Sequence, residues 1–181
     1  AHLARSPGIR PFQVPTVSAT TTHRLQLLGA ALLFSTGGAA IKSTTLSSWQ
    51  VAGFRSVIAA LAILLLVPAA RRGWTWHVLP VGAAYASTLI LFVTANKLTT
   101  SANAIFLQST APLYMLALGP LLLREKVRGR DLLFMLPVAL GMALFFVGTE
   151  APAATAPNPA RGNVMALLSG LTWALTLVGL R

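Results

Sequence analysis

Apolar residues gather in six long blocks along this chain, separated by short polar connectors. The blocks cover residues 25–41, 49–68, 78–95, 103–123, 132–148 and 163–180. They hold 17, 20, 18, 21, 17 and 18 residues. Roughly 17 to 25 helical residues cross about 30 Å of hydrocarbon. Arg55 is the one charged residue inside any block. Helices of a soluble bundle carry a charged face opposite the apolar one, and these blocks have none. Without water to bond the backbone, spanning segments of this length must be helical. The pattern predicts an all-α membrane protein, a polytopic transmembrane helix bundle of six helices.

Composition agrees. The chain has 181 residues, 55% apolar and only 9% charged, with a mean hydropathy of +0.73. Soluble domains carry about 25% charged residues, so an ordinary soluble enzyme is excluded, as is a polar disordered chain. The absence of cysteine removes disulfides, thiolate metal sites and cysteine nucleophiles. Three acids (Glu125, Asp131 and Glu150) against fourteen Lys and Arg leave a net charge of +11. Read alone, that charge invites nucleic acid. Its distribution does not. With alternating crossings, Arg5, Arg10, Arg24, Arg71, Arg72, Arg124, Lys126, Arg128, Arg130 and Arg181 fall on one side. Lys42, Lys97 and Arg161 fall on the other. Ten against three fits the positive-inside rule with a cytoplasmic N-terminus, in a multi-pass protein of the plasma (inner) membrane, with the lipid bilayer and no nucleic acid as partner. Trp49 at one boundary, and Trp74 with Trp76 at the other, suit interfacial aromatic belts.

Residues 1–24 read as a polar tail, with no apolar core of a signal peptide. Residues 25–148 form a five-helix unit. Residues 149–162, with Pro152, Pro157 and Pro159, form an extended linker, and 163–181 carry the sixth helix.

Polar residues inside the blocks fall on stripes. At 100° per residue, Asn103, Thr110 and Tyr114 share one narrow face of the fourth segment, which also contains Pro112 and Pro120. Proline frees a carbonyl and kinks a helix, which lipid tolerates only where neighbours or a wet cavity satisfy the freed group. The third segment aligns Tyr85, Thr88, Phe92 and Asn96; the sixth aligns Ser169, Thr172, Trp173 and Thr176. Such stripes either line a substrate path or join packed helices, at about 0.6 kcal/mol per hydrogen bond. The first segment aligns Gln26, Gly29, Ala30, Leu33, Gly37 and Ala40, a small-residue face for close helix approach. Gly37 and Gly38 are also hinge candidates, as is Pro112. Arg55 either anchors a polar or anionic substrate, or snorkels to the interface or backbone carbonyls.

Catalytic chemistry has no visible basis. No carboxylate lies in any segment, and His2, His23 and His77 are isolated. No phosphate-binding glycine loop, metal motif or nucleophile elbow occurs. No cofactor is implied, and the chain is read as a non-enzyme.

Three stretches resemble the EamA-like transporters of the drug/metabolite transporter superfamily. Trp49-Gln-Val-Ala-Gly-Phe-Arg55-Ser is similar to that family's Phe-Arg second helix. Thr100-Ser-Ala-Asn-Ala-Ile-Phe-Leu-Gln-Ser-Thr-Ala-Pro112-Leu-Tyr, then Leu-Leu-Leu-Arg-Glu125-Lys and Gly141, resembles its fourth helix, cytoplasmic turn and fifth helix. Gly162-Asn-Val-Met-Ala-Leu-Leu-Ser-Gly-Leu-Thr-Trp173-Ala resembles the opening of its second repeat. The resemblance implies ten helices in two inverted five-helix halves, so the chain is expected to be truncated after its sixth helix. It further implies export or exchange of small metabolites (amino acids, nucleobases or similar solutes, or drugs) by alternating access. Thr88, Asn96, Asn103, Thr110 and Tyr114 are then lining candidates, with Arg55, Ser169 and Trp173 beside them. Glu125 is assigned a structural role, capping or pairing with Arg128 or Arg130. The residues leave open a non-transporting membrane scaffold with polar stripes as helix glue, and say nothing of oligomeric state.

Overall fold

The structure, a computed structural model, describes residues 17–72, 75–124, 126–147 and 151–181. Trp74, Glu125, Glu150 and the first sixteen residues of the expected tail lie outside the described residues. Among the described residues, seven α-helices follow in chain order: α1 Val17–Ser43, α2 Ser48–Leu66, α3 Val78–Leu98, α4 Ser101–Gln108, α5 Ala111–Leu118, α6 Gly129–Leu144 and α7 Pro159–Gly179. No strand occurs among the described residues; an isolated bridge joins Ala153 to Ala156. Helix α1 begins at Val17, so helical backbone occupies residues 17–24 of the stretch expected to be a tail.

Among the described residues, five stretches are long and apolar enough to cross a membrane: Thr21–Ser43, Ser48–Leu66, Val78–Leu98, Ser101–Leu123 and Pro159–Gly179. The fifth expected segment forms α6, whose 16 residues rise only about 24 Å. Large apolar side chains such as Phe54, Leu65, Phe134 and Leu140 stay on the surface. In water such a surface would drive association; in lipid it is matched by its solvent.

Local sequence sets the helix ends. Ser47 Oγ accepts from Gln50 N, and Gln50 Oε1 accepts from Ser47 N, a reciprocal cap that starts α2. At the other end of α2, Arg71 donates to the carbonyls of Leu64 and Leu65, the last turn's unsatisfied acceptors. The fourth segment is broken at Ser109–Thr110, as its prolines predict. Pro112 sits in the first turn of α5, where its missing N–H costs nothing. Pro120 lies in a π-helical turn, Gly119–Leu123, which Arg124 ends in the left-handed region at φ 55°.

The chain divides into two compact units, Ala1–Gly37 and Gly38–Arg181, the boundary falling within α1. The second unit is organised on α7, which packs along α3 and also against α4 and α5; α2 packs on α3, and α6 on α5. Its core is made of small residues. Ala95, Ala104, Leu107 and Ala166 form one cluster, bordered by Phe92, Met142, Phe145, Met165 and Leu167. Ile41, Ala52 and Val93 form another. Small side chains let helix backbones approach closely in lipid, where apolar burial gives helices no reason to associate. The approach to a neighbouring backbone is tightest at Gly162, where an added Cβ would lie 2.6 Å from Thr99 Cβ and 2.7 Å from Thr99 N.

Candidate functional site: a polar seam along α7

Three of the sequence's polar stripes converge on α7. Near its start, Asn163 is buried and accepts at Oδ1 from Thr99 Oγ1 (2.8 Å) and from Asn103 Nδ2 (3.4 Å). Asn103 Nδ2 also lies 3.4 Å from Thr99 Oγ1, and Asn163 Nδ2 donates to the carbonyl of Phe145 at 3.2 Å. One amide therefore links the end of α3, the start of α4 and the residue after α6. Farther along, the Thr88 and Thr172 hydroxyls stand 2.9 Å apart. Tyr85 and Trp173 bring their rings to 6.2 Å, tilted by 48°.

The break between α4 and α5 lies against Gly170. A Cβ there would stand 3.1 Å from the Gln108 carbonyl oxygen, 3.2 Å from that of Leu107 and 3.3 Å from Thr110 Oγ1. Thr110 is buried and donates to the Leu107 carbonyl at 2.5 Å. Protein atoms thus cover the carbonyls at the break, which lipid could not hydrogen-bond. Beside the break, half-buried Tyr114 donates to the Leu167 carbonyl at 3.2 Å.

Most hydroxyls on the stripes bond their own helix. Ser169 donates to Ala166, Thr176 to Thr172, and Thr88 is also within reach of Ala84. Such back-bonding satisfies the hydroxyl locally, so alignment alone marks neither glue nor path. Asn96 is the exception. It is fully buried, its Nδ2 donates to Phe92, and its Oδ1 is the one buried side-chain polar atom without a partner among the described residues. It lies by Gly38, where an added Cβ would be 3.4 Å from Asn96 Oδ1 and 2.8 Å from Ser101 Cβ.

Of the hinge candidates, Gly38 is therefore a close-approach residue against α4, whereas a Cβ at Gly37 would meet nothing within 4 Å. Pro112 is exposed at the start of α5. Arg55 does not join the seam. It is exposed, one turn beyond Val51 and Ala52, which pack against Ile90, Phe92 and Val93.

Thr99, Asn163 and two lysines do work that segment-by-segment reading missed. Lys42 Nζ donates to the carbonyls of Thr99 (2.7 Å) and Thr155. Lys97 Nζ donates to those of Thr44 (3.1 Å) and Leu46. Asn158 N donates to Leu98 O at 3.0 Å. These bonds tie together the ends of α1, α3 and α7 with the loop before α2. Their sequence signal was faint: a lysine near the C-terminus of a helix, where it meets open carbonyls, and the pair Gly162-Asn163 at the edge of an apolar block.

The apolar spans define a multi-pass membrane protein. The family model of the EamA-like transporter family matches residues 24–147, more than half of the chain. The chain belongs to the EamA-like transporter family, a family of membrane transporters of the drug/metabolite type. No curated protein and no solved structure matches it.

Proposed function

We propose that the protein exports small metabolites across the plasma (inner) membrane by alternating access, with its N-terminus in the cytoplasm. Family membership is the observation that carries this reading. The α4–α5 break supports it, because discontinuous helices in lipid are found where backbone meets protein or a wet cavity. The half-exposed pair Tyr85 and Trp173, together with Tyr114 and Arg55, are the path residues in this reading. Thr88, Asn103, Thr110 and Ser169 serve as packing, since each is buried and hydrogen-bonded. Asn96 is assigned to the path on the strength of its free acceptor. Helix α7, which lies beyond the matched region, opens a second repeat in this reading.

The chain has no cysteine, so each introduced one is unique. Labelling with a membrane-impermeant thiol reagent is expected at positions 85 and 173 and not at 103 or 110. Solute flux in proteoliposomes, tested with amino acids, nucleobases and organic cations, is the companion measurement. Flux for none of them, with no labelling at 85 or 173, would turn the reading to a scaffold whose polar stripes only join helices.

A further inference from the structure

We infer that Lys42 and Lys97 form a latch that holds one end of the bundle shut, with residues 151–158 as a strap across it, and that this end unlatches in each transport cycle. The inference rests on the transport reading above. The bonds cross between elements in both directions. Lys42, in the last turn of α1, donates to the carbonyl of Thr99, just past α3, and to that of Thr155 in the segment before α7. Lys97, in the last turn of α3, donates to the carbonyls of Thr44 and Leu46 in the loop between α1 and α2. Both lysines are half-buried.

The strap is itself folded. Ala153 and Ala156 exchange both backbone bonds, at 3.1 and 2.9 Å, and Asn158 N donates to Leu98 O. Ala156 is buried, as is Pro159 where α7 begins. All four acceptors of the lysines are neutral carbonyls. An ammonium buried against a carboxylate would be costly to part from it. One bonded to carbonyls at the membrane boundary can exchange them for water at a modest net cost. Bonds of this kind hold a closed state without making it permanent.

What the latch holds is otherwise lightly packed. Val51 and Ala52, in the first turns of α2, lie against Ile90, Phe92 and Val93, and Ile41 near the end of α1 joins the same cluster. Every residue of α2 from 53 to 66 is exposed. The side chains that α2 buries thus all lie at the latched end. Few buried contacts mark an element that opens at low cost. In the proposed orientation this is the outer end, so the latch keeps the exit closed while solute enters from the cytoplasm.

The test is the rate of thiol labelling in proteoliposomes. A single Ala156→Cys reports the strap, and a single Ala174→Cys, buried in the second half of α7, reports the rest of the fold. Lys42→Met is expected to speed labelling at 156 about tenfold or more and to leave 174 protected. Lys97→Met, which frees the α1–α2 loop instead, should do the same, and remains readable if Lys42→Met fails to fold. With both lysines in place, a solute that gives flux in the assay above should change the rate at 156, because turnover opens the strap. An unchanged rate at 156 in either lysine variant overturns the latch. So does equal acceleration at 174, the mark of a protein loosened throughout. A rate at 156 that the solute leaves unaltered, in a protein that carries that solute, also overturns it, since the bonds then only brace the fold. In each of these cases the transport reading stands. Flux for none of the solutes overturns that reading and the latch with it.

Discussion

Adding one methyl group at Gly162 tests whether α7 is packed against the end of α3 as described. The new Cβ would stand 2.6 Å from Thr99 Cβ, 2.7 Å from Thr99 N and 2.9 Å from Leu98 C. Two of these are backbone atoms, so no rotamer change relieves the clash and a helix must move. Overpacking of this kind costs about 1–3 kcal/mol. The displacement would also strain the Thr99–Asn163 bond next door, adding roughly 0.6 kcal/mol. Against this, alanine improves helix propensity over glycine by about 1 kcal/mol. The net expectation for Gly162→Ala is destabilisation by about 0.6–2.6 kcal/mol. Gly53→Ala and Gly141→Ala are the controls, since a Cβ at either glycine meets nothing within 4 Å; there only the propensity gain remains. Thermal unfolding in detergent, followed by tryptophan fluorescence, reads the difference. At about 2–4 °C per kcal/mol for a chain of this size, Gly162→Ala should melt roughly 1–10 °C lower, and the controls at or above the wild-type Tm. A Gly162→Ala protein as stable as its controls would refute the close α3–α7 contact.

Asn163→Ala should destabilise by about 1–2 kcal/mol, and pairing it with Asn103→Ala should cost less than the sum, because the two share a bond; additive melting shifts would break that link. Asn96→Leu should leave stability unchanged or raise it by up to about 1 kcal/mol, since it removes an unpaired buried oxygen; a clear loss would reveal a partner for Oδ1. Lys42→Met removes two donors to carbonyls and should speed amide exchange at Asn158, whose N–H bonds the neighbouring Leu98 carbonyl. Unaltered exchange would show that the lysine does not hold this end together.

Much of the architecture is local and was therefore legible in the residues. Hydrophobicity and length mark a spanning helix without reference to any neighbour, which is why the spans could be found and their ends, apart from the start of α1, placed within a few residues. The Ser47–Gln50 cap and the break before Pro112 are equally local, because each depends on groups within four residues. The polar stripes, too, could be aligned by helical period. What they touch could not. A threonine hydroxyl bonds its own helix as readily as another, and only packing selected Thr88 and Thr172 to meet while Ser169 turned to Ala166. Tertiary structure alone put α7 at the centre of its unit, set Gly162 and Gly170 against neighbouring backbone, and drew Thr99, Asn103 and Asn163 into one buried cluster. It also gave Lys42 and Lys97 carbonyl partners 57 and 51 residues away in sequence. The reason is physical: in lipid, apolar surface does not choose a partner helix, so the choice falls to close approach at small residues and to a few hydrogen bonds, both of which depend on what the rest of the chain brings alongside.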